Sequence, residues 1–205
     1  IPMVYPDYQS VADPEIKAKF ESLWGVEDLS PDPGLTVVEI MDAARERDIR
    51  AMYVMGENPA MSDPDQHHAR QGLAALDHLV VQEIFLTETA FHADVILPAS
   101  AWPEKSGTVT NTNRQVQLGR PALAAPGMAK QDWWIIQEMA NRFYLEWDYS
   151  HPRDVFAEIN GCMPSIRGIT WERLEREGAV TYPCAKEDEP GKEVYFGDRF
   201  PTKSG

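Results

Sequence analysis

The chain has 205 residues, of which 43% are hydrophobic, and a formal net charge of −14. This length and composition indicate a globular protein of one large domain or one and a half, with a real hydrophobic core. The charge argues against nucleic acid as a partner, because phosphate binding requires patches of Lys and Arg, and the sequence shows none. No apolar run approaches the roughly 18 residues of a membrane span, so we expect no membrane span.

The chain begins without an initiator Met or a signal peptide and ends as abruptly. We therefore expect an excised piece of a longer, cytoplasmic protein. Cys162 and Cys184 lie 22 positions apart with no CxxC motif and no flanking His. An iron–sulfur or zinc site needs three or four closely spaced ligands, so free thiols are favoured, with a disulfide as the alternative.

The first predicted elements alternate between helices and strands. Residues 1–34 hold one candidate helix, Pro14 to Trp24, and end in a loop rich in Pro and Gly. The apolar spacing then predicts an amphipathic helix from Thr36 to Arg47, followed by a buried strand from Ile49 to Met55. A second helix is expected to begin at Ser62 or Asp63, with proline at its first position, and to run to about Leu76.

Two further strands follow, separated by a short helix. The strands are predicted at His78–Gln82 and Ala93–Leu97, and Thr87 is expected to cap a helix over Glu88–His92. Strands that alternate with helices through short connections form parallel sheets wrapped by helices. We therefore expect the three strands to be parallel neighbours, with helices on both faces of the sheet.

The second half of the chain has weaker signals. Thr108 to Leu118 alternates loosely and predicts either an irregular hairpin or an extended arm. A long helix is predicted from about Lys130 to Tyr144, with shorter helices around Pro152–Ile159 and Trp171–Glu177. The expected organisation is an N-terminal segment that completes the domain (1–34), an α/β core (35–149), and a helical extension and linker toward a C-terminal domain (150–205).

Polar residues follow the first two predicted strands. Ligands of doubly wound sheets bind at this edge, because backbone N–H groups and helix N-termini meet there. Gly56 would allow close approach of the backbone to a phosphate, and the Asn58 amide can donate to a phosphate or ribose oxygen. Gln82 and Glu83 end the second strand, where a carboxylate can hold a ribose or accept from a guanine edge.

Two more candidates lie beyond the third strand. The Lys105 ammonium is well placed for a pyrophosphate, and Asp132 is a second carboxylate for a purine edge. Each signal has a simpler interpretation: Gly-Asn-Pro as a turn, Glu104–Lys105 as a surface ion pair, and Asp132 as a helix N-cap. We interpret the adjacent His67 and His68 as solvated, because a metal site would need a third ligand nearby.

These segments occur in an order that resembles the molybdopterin oxidoreductase family, and within it the large subunit of bacterial NAD-linked formate dehydrogenases. The resembling blocks are Gly56–Pro59, Val80–Glu83, Thr87–Ala90, Ala93–Pro98, Glu104–Gly107, Thr110–Arg114 and Pro126–Asp132. The resemblance implies a Rossmann-like, three-layer (αβα) parallel sheet that binds molybdopterin guanine dinucleotide, with 35–149 as its cofactor-binding core. The contacts implied by position are Gly56, Asn58, Gln82, Glu83, Lys105 and Asp132. Relatives often have Ser-Asp where this chain has Gln82-Glu83.

The resemblance also implies a function for the parent protein. It would oxidise formate to CO2 at Mo or W held by two molybdopterin guanine dinucleotides, and pass electrons on toward NAD. Iron–sulfur clusters would lie in other parts of the parent. The family's metal-ligating Cys or selenocysteine, its neighbouring His and its catalytic Arg have no counterpart in this chain. We therefore expect no catalytic residue, no metal ligand and no bound cofactor here, and no activity in isolation.

The implied partners are the remaining domains of the same chain, subunits that carry NAD, flavin and iron–sulfur clusters, and formate as substrate. Two alternatives stay open. One is the equivalent domain of a nitrate reductase or another member of the family, against which Val80–Ala90 favours formate dehydrogenase. The other is a non-catalytic relative such as a complex I subunit. Asn58, Lys105 and Asp132 argue against the latter, because a scaffold needs no anion and purine contacts.

Overall fold

The computed structural model describes residues 2–200 and 202–205. In chain order the strands are β1 (Val4–Tyr5), β2 (Gln9–Ser10), β3 (Ala51–Met55), β4 (His78–Glu83), β5 (Val95–Pro98), β6 (Gly107–Thr110), β7 (Gln115–Gly119) and β8 (Ala179–Thr181). The α-helices are α1 (Pro14–Trp24), α2 (Val37–Glu46), α3 (Pro59–Ser62), α4 (Gln66–Ala75), α5 (Asp132–Arg142), α6 (Pro152–Cys162) and α7 (Trp171–Glu177). No helix of the described residues is both long and apolar enough to cross a membrane.

The predicted parallel sheet is confirmed. It has the order β3-β4-β5, with Tyr53 beside Val80 and Val80 beside Val95. Neighbouring parallel strands bring their carboxyl ends to one edge, so the loops after β3, β4 and β5 meet there. The α/β fold expected from the alternation of apolar segments is therefore correct.

One face of this sheet packs against helices. Val54, Leu79 and Val81 are buried against Ala60 of α3 and Leu73 of α4. In turn α2 packs on α4, where Gly72 permits the two helix backbones to approach closely. A Cβ atom at Gly72 would lie only 2.9 Å from the carbonyl oxygen of Met41. The amphipathic pattern of α2 thus serves a helix–helix contact rather than a contact with the sheet.

The opposite face of the sheet is more open than the sequence predicted. Tyr53, Met55 and Val95 on this side are 37%, 45% and 39% exposed. Helices had been expected on both faces, whereas the apolar face of α2 is used against α4.

A second sheet follows the parallel one. β6 and β7 form an antiparallel hairpin, which selects the hairpin over the extended arm, and β8 pairs antiparallel with β7. The core beneath it joins Val116 of β7 to Phe156 of α6, Leu174 of α7 and Val180 of β8. The C-terminal region therefore shares a core with the hairpin. β8 had not been predicted, because a three-residue strand carries too short a pattern.

Helix boundaries follow the capping residues. The predicted start of α2 near Thr36 is correct, and Thr36 and Glu39 form a reciprocal capping box there. The start predicted at Ser62 or Asp63 is wrong. Asp65 caps α4 by accepting from the His68 amide at 3.0 Å, and Pro59–Ser62 forms the separate turn α3. The segment after Thr87 is a 3₁₀ turn at Ala90–His92 rather than an α-helix.

The two cysteines are free thiols, and the two adjacent histidines contact polar side chains of neighbouring residues. Cys162 and Cys184 are buried and free, as predicted. His67 contacts the Gln71 side chain at 2.9 Å, and His68 lies 3.1 Å from the Asp42 carboxylate. No group of three or more potential metal-ligating side chains occurs among residues 2–200 and 202–205.

Candidate cofactor site

Hydrogen bonds join three of the predicted site residues at the carboxyl edge of the sheet, namely Gln82, Lys105 and Asp132. Gln82 is the penultimate residue of β4 and is fully buried. Its Nε2 donates to Asp132 Oδ1 at 2.7 Å, and Lys105 Nζ donates to Asp132 Oδ2. The Lys130 amide donates to the Pro98 carbonyl at 3.1 Å, which ties the start of α5 to the end of β5. This backbone contact brings Asp132 to the sheet.

Tyr53 belongs to the same group and was missed by the sequence analysis. Its hydroxyl donates to Gln82 Oε1, so both polar atoms of the Gln82 side chain are engaged inside the protein. Burial and the negative charge of Asp132 raise the pKa of Tyr53. The alternation of side chains along β3 could have pointed to Tyr53. Met55 pairs with Gln82, and Tyr53 lies two residues before Met55, so its side chain faces the same side of the sheet.

Lys105 and Asp132 are accessible to a ligand. Their side chains are 26% and 31% exposed, and both line a cavity of about 210 Å³ together with Ser106, Gln131 and Trp133. Asp132 is the first residue of α5, where the helix dipole favours a negative charge. The cavity is smaller than the roughly 300–1,000 Å³ of drug-sized ligand sites. It therefore suits one ring system or phosphate group rather than a whole dinucleotide.

Lys105 and Asp132 do not form the particular contacts that the simpler interpretations assign to them. Lys105 pairs with Asp132 and not with its neighbour Glu104, whose Oε2 accepts from the Ala101 amide at 2.8 Å. The N-cap of α5 is Gln131, one residue before Asp132. The Asp132 carboxylate is thus held by two side chains from elsewhere in the sequence.

Asn58 belongs to a separate group at the same edge. Its Oδ1 accepts from the amide and hydroxyl of Thr89 at 3.1 and 2.8 Å, and its Nδ2 donates to Glu88 at 2.7 Å. The bond from Asn58 lowers the pKa of Glu88. Asn58 therefore fastens the loop after β3 to the loop after β4, and one hydrogen on Nδ2 remains for another acceptor.

Gly56 and Glu83 also lie at this edge, but outside the Lys105–Asp132 group. Gly56 has a φ of +64°, which a glycine adopts without strain, and its amide donates to the Gln82 carbonyl at 2.9 Å. Glu83 Oε1 accepts from the Ile84 amide at 2.7 Å. Lys105 and Asp132 therefore form a bonded pair, whereas Asn58 bonds to the loop after β4 and Glu83 bonds to the residue that follows it.

Ser100 is a further polar residue that the sequence analysis did not select. It lies two positions beyond β5, and its amide donates to the Lys130 carbonyl at 2.8 Å. Its hydroxyl is fully buried and has no hydrogen-bond partner among the residues that the structure describes. A buried hydroxyl without a partner is uncommon in native proteins, and a missing ligand is one recognised reason. This observation fits a ligand-binding role for the segment that leads into Asp132.

The chain matches a known protein family. The profile of the family described as "Molybdopterin oxidoreductase" matches residues 11–142, which is well over half of the chain. The chain belongs to the molybdopterin oxidoreductase family. The matched range includes β3-β4-β5, the site residues and the whole of α5.

Two relatives and one solved structure define the relationship further. The chain is 45% identical over its full length to the F420-dependent formate dehydrogenase subunit alpha of Methanocaldococcus jannaschii, and spans 30% of that protein. It is 35% identical to the assimilatory nitrate reductase catalytic subunit of Bacillus subtilis, over 95% of this chain and 28% of that one. Acetylene hydratase from Pelobacter acetylenicus matches in structure with a TM-score of 0.58 and 23% identity, over 71% of this chain and 20% of that one. The last similarity supports the fold alone.

Proposed function

We propose that this chain is the nucleotide-holding part of a formate dehydrogenase large subunit, and that it binds one guanine end of a bis-molybdopterin guanine dinucleotide. The observation that supports this most is the Asp132 carboxylate, held by Gln82 and Lys105 at the carboxyl edge of a parallel sheet. Most of the relatives at 37–45% identity are named formate dehydrogenases or putative formate dehydrogenases, which favours formate as the substrate of the parent protein.

The side chains present fit the nucleotide part of such a cofactor. An ammonium has three donors, so Lys105 can keep its bond to Asp132 and still donate to a pyrophosphate. Each carboxylate oxygen has a second lone pair, so Asp132 can also accept from the two adjacent N–H groups of a guanine edge. Lys105 and Asp132 are thus the proposed direct contacts.

The other predicted residues take different parts in this proposal. Gln82 is buried, and both polar atoms of its side chain already form hydrogen bonds. Its proposed role is therefore to hold the Asp132 carboxylate in place, without contact with the ligand. Asn58 has one N–H left for a phosphate or ribose oxygen. Gly56 leaves room for the ligand, since no atom of the described residues lies within 4 Å of its ideal Cβ position. Glu83 is the proposed acceptor for a ribose hydroxyl.

The activity of the whole protein is part of the proposal, because the chain spans less than a third of the relatives described above. When bound, the cofactor supplies the Mo or W centre at which formate loses two electrons. The residues of this chain bind and orient the nucleotide end only. The electron acceptor, whether NAD as the resemblance implied or F420 as in the archaeal relative's name, and the iron–sulfur clusters belong to other parts of the complex.

The test is the cofactor content of the full-length protein that carries this chain. Lys105→Ala removes the ammonium that would face the pyrophosphate, a charge-assisted contact worth roughly 1.5–3 kcal/mol. Metal and guanine nucleotide per polypeptide should fall severalfold, while formate oxidation per bound metal changes much less. Lys105→Arg should retain part of the content, because the charge survives.

Lys186→Ala is the matched control. It removes a lysine that also forms an ion pair, with Glu189 at 3.0 Å, on an exposed turn. Its cofactor content should equal that of the wild type. Full content in Lys105→Ala would reduce Lys105 to a structural ion pair, and reduction of nitrate instead of oxidation of formate would reassign the substrate.

A further inference from the structure

We propose that Tyr53 is a positioning residue of the nucleotide site, which fixes the Gln82 amide in the orientation that makes Asp132 select guanine. This inference rests on the proposed function and concerns a residue that does not itself touch the ligand. It starts from a continuous run of hydrogen bonds from Tyr53 through Gln82 to Asp132, with Lys105 at the far end.

The Asp132 carboxylate determines which group donates in each of these hydrogen bonds. A carboxylate is an acceptor only, so Asp132 must receive an N–H from Gln82 and another from Lys105. The Gln82 amide then has to turn its NH2 group toward Asp132 and its carbonyl oxygen toward Tyr53. The phenol must therefore donate. Burial and the charge of Asp132 both raise the pKa of Tyr53, so its hydroxyl keeps the proton needed for this role at neutral pH.

Water does not readily replace the Tyr53 hydroxyl. Gln82 is fully buried, and its side-chain oxygen accepts from the Tyr53 hydroxyl. Without the phenol O–H, the buried Gln82 oxygen loses its donor, and a buried acceptor without a partner is costly. The Gln82 amide is then held at one end only, by its N–H bond to Asp132, and its plane is less firmly fixed.

The orientation of Gln82 bears on which base the site accepts. Asp132 held by two donors presents free lone pairs only, which match the adjacent N1–H and N2–H donors of guanine. Cytosine and adenine instead present one donor beside one acceptor on the same edge. Without the Tyr53 bond, the Gln82 amide fixes the Asp132 carboxylate less firmly, and its free lone pairs are less well aligned with two adjacent donors. The preference for two adjacent donors should then weaken.

The experiment measures binding of GMP and CMP to the full-length protein, prepared without cofactor, by equilibrium dialysis. Tyr53→Phe removes one oxygen and keeps the ring. It should weaken GMP binding roughly five- to tenfold, the effect of losing one net hydrogen bond, and leave CMP binding nearly unchanged. A merely structural role for Tyr53 would weaken both nucleotides equally and overturn the inference. Tyr144→Phe, at a side chain that is 90% exposed, is the matched control and should change neither.

A double-mutant cycle tests whether Tyr53 acts through Gln82. Gln82→Met keeps the length of the side chain and removes both hydrogen bonds. In this background Tyr53→Phe should have no further effect on the ratio of GMP to CMP affinity, whereas additive losses would contradict the inference. If the wild type prefers GMP and Tyr53→Phe leaves the ratio of GMP to CMP affinity unchanged, only the role of Tyr53 is refuted. Failure of the wild type to prefer GMP, together with full cofactor content in Lys105→Ala, would refute the proposed function as well.

Discussion

The contact between α2 and α4 makes a prediction with two opposing terms. In an exposed helix, Gly→Ala stabilises by up to about 1 kcal/mol, because alanine loses less conformational entropy on folding. At Gly72 the new methyl group would lie 2.9 Å from the Met41 carbonyl oxygen, 3.6 Å from Ala44 Cβ and 3.8 Å from the Arg45 amide nitrogen. The first contact is with backbone, which can yield only if the helices move apart. Overpacking of this kind costs about 1–3 kcal/mol, so Gly72→Ala should destabilise by about 1–2 kcal/mol net.

Urea denaturation and thermal unfolding measure this change. For a protein of this size the melting temperature should fall by about 2–4 °C for each kcal/mol. Gly161→Ala is the matched control, since Gly161 also lies in a helix, α6, and nothing surrounds the position of its Cβ within 4 Å. That variant should be as stable as the wild type or slightly more so. Equal stability of Gly72→Ala and Gly161→Ala would refute the close approach of α2 and α4.

Two further predictions concern stability. Arg173 is buried and donates to the carbonyl oxygens of Gly168 and Glu189 at 2.9 and 2.7 Å. Arg173→Met should leave the Gly168 oxygen without this donor and the Glu189 oxygen with only the weak S–H donor of Cys184, and lower the free energy of unfolding by about 3 kcal/mol, measured by urea denaturation. Hydrogen bonds from the Thr36 hydroxyl and amide lower the pKa of Glu39. The stability from this capping box should therefore be present above the ordinary pKa of a glutamate and lost as the pH falls through the lowered value. Glu39→Gln should flatten that acidic part of a plot of stability against pH, and an unchanged slope would contradict the assignment.

The local features of this protein were predictable because neighbouring residues in the sequence decide them. Thr36 and Glu39 are three positions apart, and together they fix the start of α2. Three largely apolar segments were predictable as parallel strands, because helical segments separate them in the sequence. These segments are Ala51–Met55, His78–Glu83 and Val95–Pro98. The predicted start of α4 was nevertheless wrong, because its N-cap is Asp65 and not Ser62 or Asp63.

The arrangement of the candidate site was decided by tertiary structure. Gln82 and Glu83 were assigned together to one site, but successive residues of a strand point to opposite faces, so only Gln82 reaches Asp132. Asp132 is 50 residues from Gln82 in sequence and 27 from Lys105, and a local pattern cannot show that their side chains meet. The sequence by itself therefore determined which segments form the edge of the sheet and which polar residues end them. Which of those residues bond to one another, and that Tyr53 joins them, depended on strand register and on the backbone contact between Lys130 and Pro98, because only folding creates contacts at that separation.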